Sequence, residues 1–191
     1  MLFGKENISE IYQIEKPFLE NIEDMRKLSI HLSLSEGIKS VTAKRHGIAN
    51  IPSSRQLKVM RHLAREFFEP LRSGLGNYPI IINSFYRSQE LNTILNGARN
   101  SDHMIEGDTA AIDIDNDSIS LQTGISNSDI FYYVFDNMDY YKLIWEFGDE
   151  DSPSWVHISF STSERNNKKK LTSQAVLREG KVFYKEFKDK R

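Results

Sequence analysis

One histidine and several carboxylates lie close together in the stretch SDHMIEGDTAAIDID, which begins at Ser101. If the segment Ala110 to Asp115 is extended, its side chains alternate between two faces, so Asp113 and Asp115 point the same way. Burying carboxylates beside a sheet is costly unless they are paired, hydrogen-bonded or bound to a cation. His103 is the residue best placed to share a cation with them.

A second histidine, His157, lies within the apolar run WVHISF. Alternation along a strand puts Trp155, His157 and Ser159 on one face and the apolar residues on the other. Two neutral imidazoles and one carboxylate, with a fourth position left for water, are a standard ligand set for catalytic zinc. Each feature also has a plainer explanation, because a strand histidine is often a hydrogen-bonded core residue and a loop His-Asp pair is often a turn.

Composition narrows the classes of protein and of site. The chain of 191 residues contains no cysteine, which excludes disulfides and thiolate ligands, so a metal would need the five histidines and the carboxylates. A formal charge of -2 gives no electrostatic reason to expect nucleic acid as a partner. No segment approaches the roughly 20 apolar residues that a membrane-spanning helix needs. We therefore expect one domain over residues 31–191, a monomer without membrane insertion, and an N-terminal extension over residues 1–30 packed on that domain.

The elements that position the histidines can be read from periodicity. Apolar residues recur at helical spacing from Pro52 to Arg72, and a β-branched run from Tyr78 to Phe85 predicts a buried strand. A short helix should follow, closed by Gly97, with three apolar residues facing inward: Leu91, Ile94 and Leu95.

Later segments are mostly strands. We predict a strand over Ala110 to Ile114, a helix that starts at Ser128, and two hairpins near the C-terminus. The hairpins join these pairs of segments: Tyr141 to Phe147 with Trp155 to Ser161, and Ala175 to Arg178 with Val182 to Tyr184. The predicted class is α+β, with a mostly antiparallel sheet and flanking helices.

Several ordered motifs resemble the zinc D-Ala-D-Ala carboxypeptidase family, which includes phage and bacterial murein peptidases of the hedgehog/D,D-peptidase fold. They are INSFYRS from Ile82, NSDH from Asn100, AAIDI from Ala110 and WVHIS from Trp155, and the similarity begins upstream at Leu34. The resemblance implies that zinc is held by His103, Asp113 and His157. This chain has a longer loop between the first two of these residues than the family usually has, so Asp115 and Asp108 are the fallback ligands.

The resemblance also implies roles for residues around the metal. Arg87 would grip a substrate carboxylate or steady the oxyanion, since a planar guanidinium binds carboxylates with two hydrogen bonds; the alternative is an ordinary surface ion pair. Asn92 and Ser101 would shape the substrate site. A His/Asp site also accepts cobalt, manganese or nickel, so the identity of the metal stays open.

The general base departs from the usual pattern. Many members have an acid three residues before the last histidine, but Ser154 occupies that position here. Glu146, between two aromatic residues, is the preferred base because burial would raise its pKa. Asp151 is the alternative base, and Glu146 could instead support a metal-bound histidine through a hydrogen bond.

These expectations describe a zinc metallopeptidase that hydrolyses an amide bond in the peptidoglycan stem peptide or cross-link, of D,D-carboxypeptidase, endopeptidase or L-Ala-D-Glu type. The N-terminus lacks the pattern of a signal peptide. A phage endolysin would then be made in the cytoplasm and reach the cell wall through a holin or as part of a particle. The alternative is a non-catalytic cell-wall-binding or virion module that retains the fold, and a hedgehog-like signalling domain is disfavoured.

Overall fold

A mixed six-stranded sheet organises the molecule, and the structure, a computed structural model, describes residues 26–189 and 191. The strands are β1 (Ile82–Ser84), β2 (Thr109–Ile114), β3 (Lys142–Glu146), β4 (Trp155–Ser161), β5 (Leu171–Arg178) and β6 (Lys181–Glu186). The helices are α1 (Leu34–Gly37), α2 (Val41–His46), α3 (Ser54–Leu63), α4 (Glu69–Gly74), α5 (Gln89–Ile94), α6 (Ser120–Thr123), α7 (Asn127–Asn137) and α8 (Glu164–Asn167). Most of the predicted N-terminal extension lies outside the described residues.

The sheet has the order β1-β2-β4-β3-β5-β6, and its neighbouring strands are antiparallel except for the parallel pair β3 and β5. The parallel pair arises because the chain leaves β4, passes through α8 and returns on the far edge of β3. The predicted α+β class with a mostly antiparallel sheet is confirmed, and both predicted hairpins are present as β3–β4 and β5–β6.

Alternation gives the sheet one apolar face and one polar face. Ile112, Ile158 and Leu143 lie side by side on the apolar face and are fully buried in the core. On the other face, Asp113 is paired with His157, and Glu146 is paired with Trp155. Neighbouring side chains along a strand point in opposite directions. Packing the apolar residues into the core therefore places these polar residues together on the opposite face of the sheet.

The predicted long helix is confirmed and forms the main support of the apolar face. It begins at Ser54 with a capping box between Ser53 and Gln56. A π-helical turn, Ala64–Phe68, joins α3 to α4 just before Pro70, whose missing N–H removes one bond of the regular ladder. Among residues 26–189 and 191, no helix is long and apolar enough to cross a membrane.

Two local predictions were wrong. The strand predicted from Tyr78 to Phe85 is reduced to β1, which lies at the edge of the sheet, and the Tyr78 side chain is 49% exposed. Leu91 is buried as predicted, but Ile94 is 41% exposed and Leu95 is similarly exposed, because α5 is a short surface helix that turns little of its circumference to the core. Apolar character alone does not bury a residue in these segments, because the edge of a sheet and a surface helix leave some apolar side chains in contact with water.

Candidate metal centre and cleft

Three residues from separate elements meet on the polar face of the sheet. One ligand atom each from His103, Asp113 and His157 lies within 4.8 Å of the other two. Asp113 Oδ1 is 3.1 Å from His103 Nε2 and 2.8 Å from His157 Nδ1. The pairing of β2 with β4 places Asp113 directly opposite His157. We call these three residues the triad.

His103 is oriented by the backbone around it. It lies in the 3₁₀ turn Asp102–Met104, and its Nδ1 is 2.7 Å from the carbonyl oxygen of Phe85. Since a carbonyl only accepts, Nδ1 must carry the proton, which leaves the lone pair of Nε2 directed at Asp113. Burial lowers the pKa of His103 although Asp113 opposes the shift, so the imidazole is neutral near pH 7, the form that binds metals.

His157 is oriented by a chain of polar side chains. The Ser159 hydroxyl donates to Asp102 Oδ2 at 2.7 Å, so it accepts the Nε2–H of His157 at 3.0 Å. The Nδ1 atom of His157 therefore carries a lone pair, which is directed toward the space between His157, His103 and Asp113. Lys142 Nζ also donates to Asp102 Oδ2, at 2.7 Å, and balances the charge of that carboxylate. We call Lys142, Asp102 and Ser159 the support chain.

The support chain was not predicted from the sequence. Alternation puts Ser159 on the same strand face as His157, but nothing in the local sequence indicates that the two side chains are hydrogen-bonded. Asp102 and Lys142 are separated by a long stretch of chain and meet only through the register of the sheet.

Asp113 is held as a carboxylate. Burial opposes its ionisation, but the contacts with His103 and His157 outweigh burial and keep the pKa of Asp113 well below its ordinary value. Its second oxygen, Oδ2, accepts from Arg87 Nη2 at 2.6 Å. Arg87 is in turn fixed by a 2.9 Å bond from Nε to Ser84 Oγ at the end of β1. The guanidinium of Arg87 thus supports the central ligand, and it also lines the cleft.

Glu146 ends β3 beside the triad and is 7% exposed. Burial raises the pKa of Glu146 to about 7; His157 and Arg87 lower it, and Asp113 adds to the rise. No residue in the described part of the chain donates a hydrogen bond to its carboxylate. Directly after Glu146 the chain turns through Phe147 and Gly148, both with positive φ, and a Cβ on Gly148 would lie 2.1 Å from the Ser152 carbonyl oxygen. Only glycine fits there, so this turn fixes where β3 ends.

The triad and Glu146 line one cleft with a volume of about 620 Å³. On one side the cleft is bounded by loop residues 96–101, and across the sheet by Val182 and Tyr184 of β6. Phe147 and Trp155 form part of its wall, with ring centroids 5.1 Å apart. A carboxylate with a raised pKa and a candidate metal site therefore face the same space.

The other predicted site residues have different surroundings. Ser101 lines the cleft, whereas the buried Asn92 of α5 donates to the Ala98 carbonyl oxygen in the loop that follows this helix. Both fallback ligands lie outside the triad. Asp108 is exposed and accepts from Thr109 Oγ1, and Asp115 follows the end of β2 and accepts from the Asp117 amide.

Asp151, the alternative base, lies in the exposed turn between β3 and β4. Its amide donates to Asp149 Oδ1, and its side chain is not part of the cleft wall. Ser154, which takes the place of the usual acid, donates its amide to the Glu146 carbonyl oxygen at 3.0 Å. Among the candidate bases considered, Glu146 is the one that faces the triad.

Comparison with known proteins places the chain in a family. The sequence profile described as Peptidase M15 matches residues 30–138, which include Arg87, His103 and Asp113. No curated protein matches the chain. Because the matched segment spans more than half of the chain, this protein belongs to the peptidase M15 family of metallopeptidases.

Proposed function

We propose that this protein is a zinc-dependent peptidase that hydrolyses an amide bond in the peptide part of peptidoglycan. The observation that carries the proposal is the convergence of the triad with Glu146 in one cleft. Family membership supports a metallopeptidase, and the earlier resemblance to murein peptidases supports the substrate class.

The triad fits a zinc ion by its donor set. Two neutral imidazole nitrogens and one carboxylate oxygen would hold the ion, and each imidazole has its other ring nitrogen bonded to a protein oxygen. Zinc bound by these residues supplies an acidified water and polarises the scissile carbonyl. The chain has no cysteine, and His103, Asp113 and His157 are the histidines and carboxylates of the described cleft whose ligand atoms lie close enough together to share one ion.

Glu146 would move the proton. A carboxylate with a pKa of about 7 can take a proton near neutral pH and release it to a leaving amine. The alternative role, a hydrogen bond that supports a metal-bound histidine, is not favoured, because the His103 and His157 nitrogens that face away from the triad bond to Phe85 and Ser159.

Arg87 would act on the reacting carbonyl. Its Nη2 and Nε are bound to Asp113 and Ser84, while no hydrogen bond from Nη1 to the described residues is present. We assign Nη1 as a donor to the developing oxyanion, in a position that the two other bonds hold rigid.

The test is hydrolysis of purified peptidoglycan by the zinc-loaded protein, alongside Glu146→Gln. The proposal is supported if the native chain releases peptidoglycan products and the variant does not, while both bind the same amount of zinc. A native protein that holds one zinc per chain, binds cell walls and releases no product would instead establish the non-catalytic binding or virion module.

The metal ligands have their own test. Elemental analysis of the purified protein should find one zinc per chain, lost when His103, Asp113 or His157 is replaced by alanine. Retention of zinc in all three variants would disprove the assignment of the triad. The phage lysin role and release through a holin stay predictions, supported by the resemblance to the phage branch. Lysis of cells that occurs only when a holin is co-expressed would support both predictions.

A further inference from the structure

We propose that the cleft accepts an amide bond in the interior of a peptide chain, which makes the enzyme an endopeptidase and not a carboxypeptidase. The inference rests on the proposed peptidase function and assigns the position of the bond within the substrate.

The first argument is the counter-charge that a chain terminus needs. A carboxypeptidase binds a free carboxylate one residue from the scissile bond, and withdrawing that carboxylate from water is costly without a cation. The open positions of an ion held by the triad would go to water and the scissile carbonyl. The cation for a terminal carboxylate would therefore have to be a side chain of the cleft.

Both cationic side chains among the described cleft residues are already paired with protein carboxylates. Arg87 Nη2 is 2.6 Å from Asp113 Oδ2, and Lys142 Nζ is 2.7 Å from Asp102 Oδ2. A substrate carboxylate would have to compete with Asp113 for Arg87 Nη2, with Asp102 for Lys142, or with the developing oxyanion for the Nη1 of Arg87. Displacing Asp113 would leave a buried carboxylate without its partner. Glu146 adds a third carboxylate to the wall. The charge of the side chains thus disfavours an anionic terminus and tolerates a neutral amide.

The second argument is the extent of the groove. The cleft of about 620 Å³ reaches from the loop beside His103 to β6, four strands away from Asp113. A second cavity of about 440 Å³ shares Lys142, Ile144 and Ser173 with it and continues over Leu171 of β5. Cavities of roughly 300–1,000 Å³ bury ligands of drug size. The triad therefore lies along a groove, where a substrate chain can continue beyond the scissile bond.

The β5–β6 hairpin provides an open wall for that continuation. Val182 and Tyr184 line the cleft, yet Tyr184 is 61% exposed, so the wall is not closed by protein. Leu177, paired with Val182 and also exposed, extends the same apolar face beyond the cleft. Because this surface is continuous with the site, we assign it to the part of the substrate peptide that extends beyond the scissile bond.

The decisive experiment uses the zinc-loaded full-length protein on cell-wall sacculi, with mass spectrometry of the products, and on paired stem peptides that end in a free acid or a carboxamide. We expect separated cross-links or released stem peptides, and kcat/KM for the carboxamide peptide at least equal to that for the acid. Release of free terminal amino acid alone, or a tenfold preference for the free acid, would overturn the inference and leave the peptidase intact. Hydrolysis of neither substrate would overturn the proposed function itself.

Variants on β6 test the groove separately. Tyr184→Ala should raise KM for a cross-linked dimer by about 2- to 10-fold, as expected for loss of one aromatic contact. Phe183→Ala is the matched control, because Phe183 is 49% exposed, lies next to Tyr184 and does not line the cleft. An equal change in KM for both variants, or for neither, would contradict the role of this wall.

Discussion

Replacing Ser159 with alanine should weaken zinc binding, although Ser159 would not touch the metal. The hydroxyl accepts the Nε2–H of His157 at 3.0 Å and donates to Asp102 at 2.7 Å. Without it, the Nε2–H loses its acceptor, and nothing in the support chain keeps the proton on Nε2 and the lone pair on Nδ1. The ligand would then spend part of its time in the wrong tautomer or orientation.

The size of the effect follows from comparable supports in metal sites. Loss of a hydrogen bond to a histidine ligand typically costs 10- to 100-fold in affinity, or about 1.4–2.7 kcal/mol. Lys142 remains bonded to Asp102 in the variant, so this partly buried carboxylate keeps its counter-charge and the fold should survive. We therefore expect a change in metal affinity that exceeds any change in the melting temperature of the metal-free protein.

The assay is competition for zinc with a chromophoric chelator, repeated with cobalt to follow the absorption of the bound ion. Ser161→Ala is the control, since Ser161 is equally buried on the same strand face but bonds to the Ser163 amide and not to a histidine. If Ser159→Ala bound zinc as tightly as Ser161→Ala and the native protein, the role assigned to the support chain would be refuted.

Three further predictions concern the end of β3. As a base, Glu146 must be ionised, so kcat/KM should rise as pH increases through about 7, and Glu146→Gln should lower kcat by about 10²- to 10⁴-fold; an unchanged pH–rate profile in that variant would exclude Glu146 as the base. The raised pKa of Glu146 also means that the folded state holds a proton which the unfolded state releases above the ordinary pKa. Relative to Glu146→Gln, the metal-free native protein should therefore lose up to about 3 kcal/mol of unfolding free energy between pH 4.5 and 8. Denaturant titrations should show this loss in the native chain and not in Glu146→Gln. Gly148→Ala should destabilise the fold by about 1–3 kcal/mol and reduce activity, because the added methyl group meets the Ser152 carbonyl; equal thermal melts for variant and native chain would contradict the assigned constraint.

Local patterns predicted the elements that have one buried face and enough length to show it. The long helix and both hairpins are of this kind, since helical spacing or alternation runs through each of them. The predicted strand from Tyr78 and the inward placement of Ile94 failed because the pattern records which residues are apolar, while the position of an element in the fold decides which of them are covered. β1 is an edge strand and α5 a surface helix, and neither position is written in the local sequence.

The site residues show the same division between features that local patterns predict and features that depend on the fold. Alternation placed His157 on the polar face of its strand and Asp113 on the polar face of β2, but the choice of Asp113 over Asp115 came from the family resemblance. Asp115 was grouped with Asp113 by extending β2 past its actual end at Ile114. The contacts that orient the ligands join distant parts of the chain, as Lys142 does with Asp102 and His103 with Phe85. Such contacts depend on sheet order and register, which a single sequence does not specify.

Removing the metal should leave the chain folded, because the triad does not hold the core together. The hydrophobic core lies on the opposite face of the sheet, against the long helix and α7. In the absence of an ion, Asp113 still has the Arg87 guanidinium as its counter-charge, so this buried carboxylate is not left uncompensated. This differs from a small zinc domain, where binding energy is folding energy. We expect a chelator-treated sample to keep its far-UV circular dichroism and a cooperative melt, with zinc at 100 times its Kd adding about 2.7 kcal/mol. If the chelator-treated protein showed no cooperative transition, the ion would be needed to organise the sheet. The fold would then be stabilised mainly by the metal-bound triad and not by the helix-covered face.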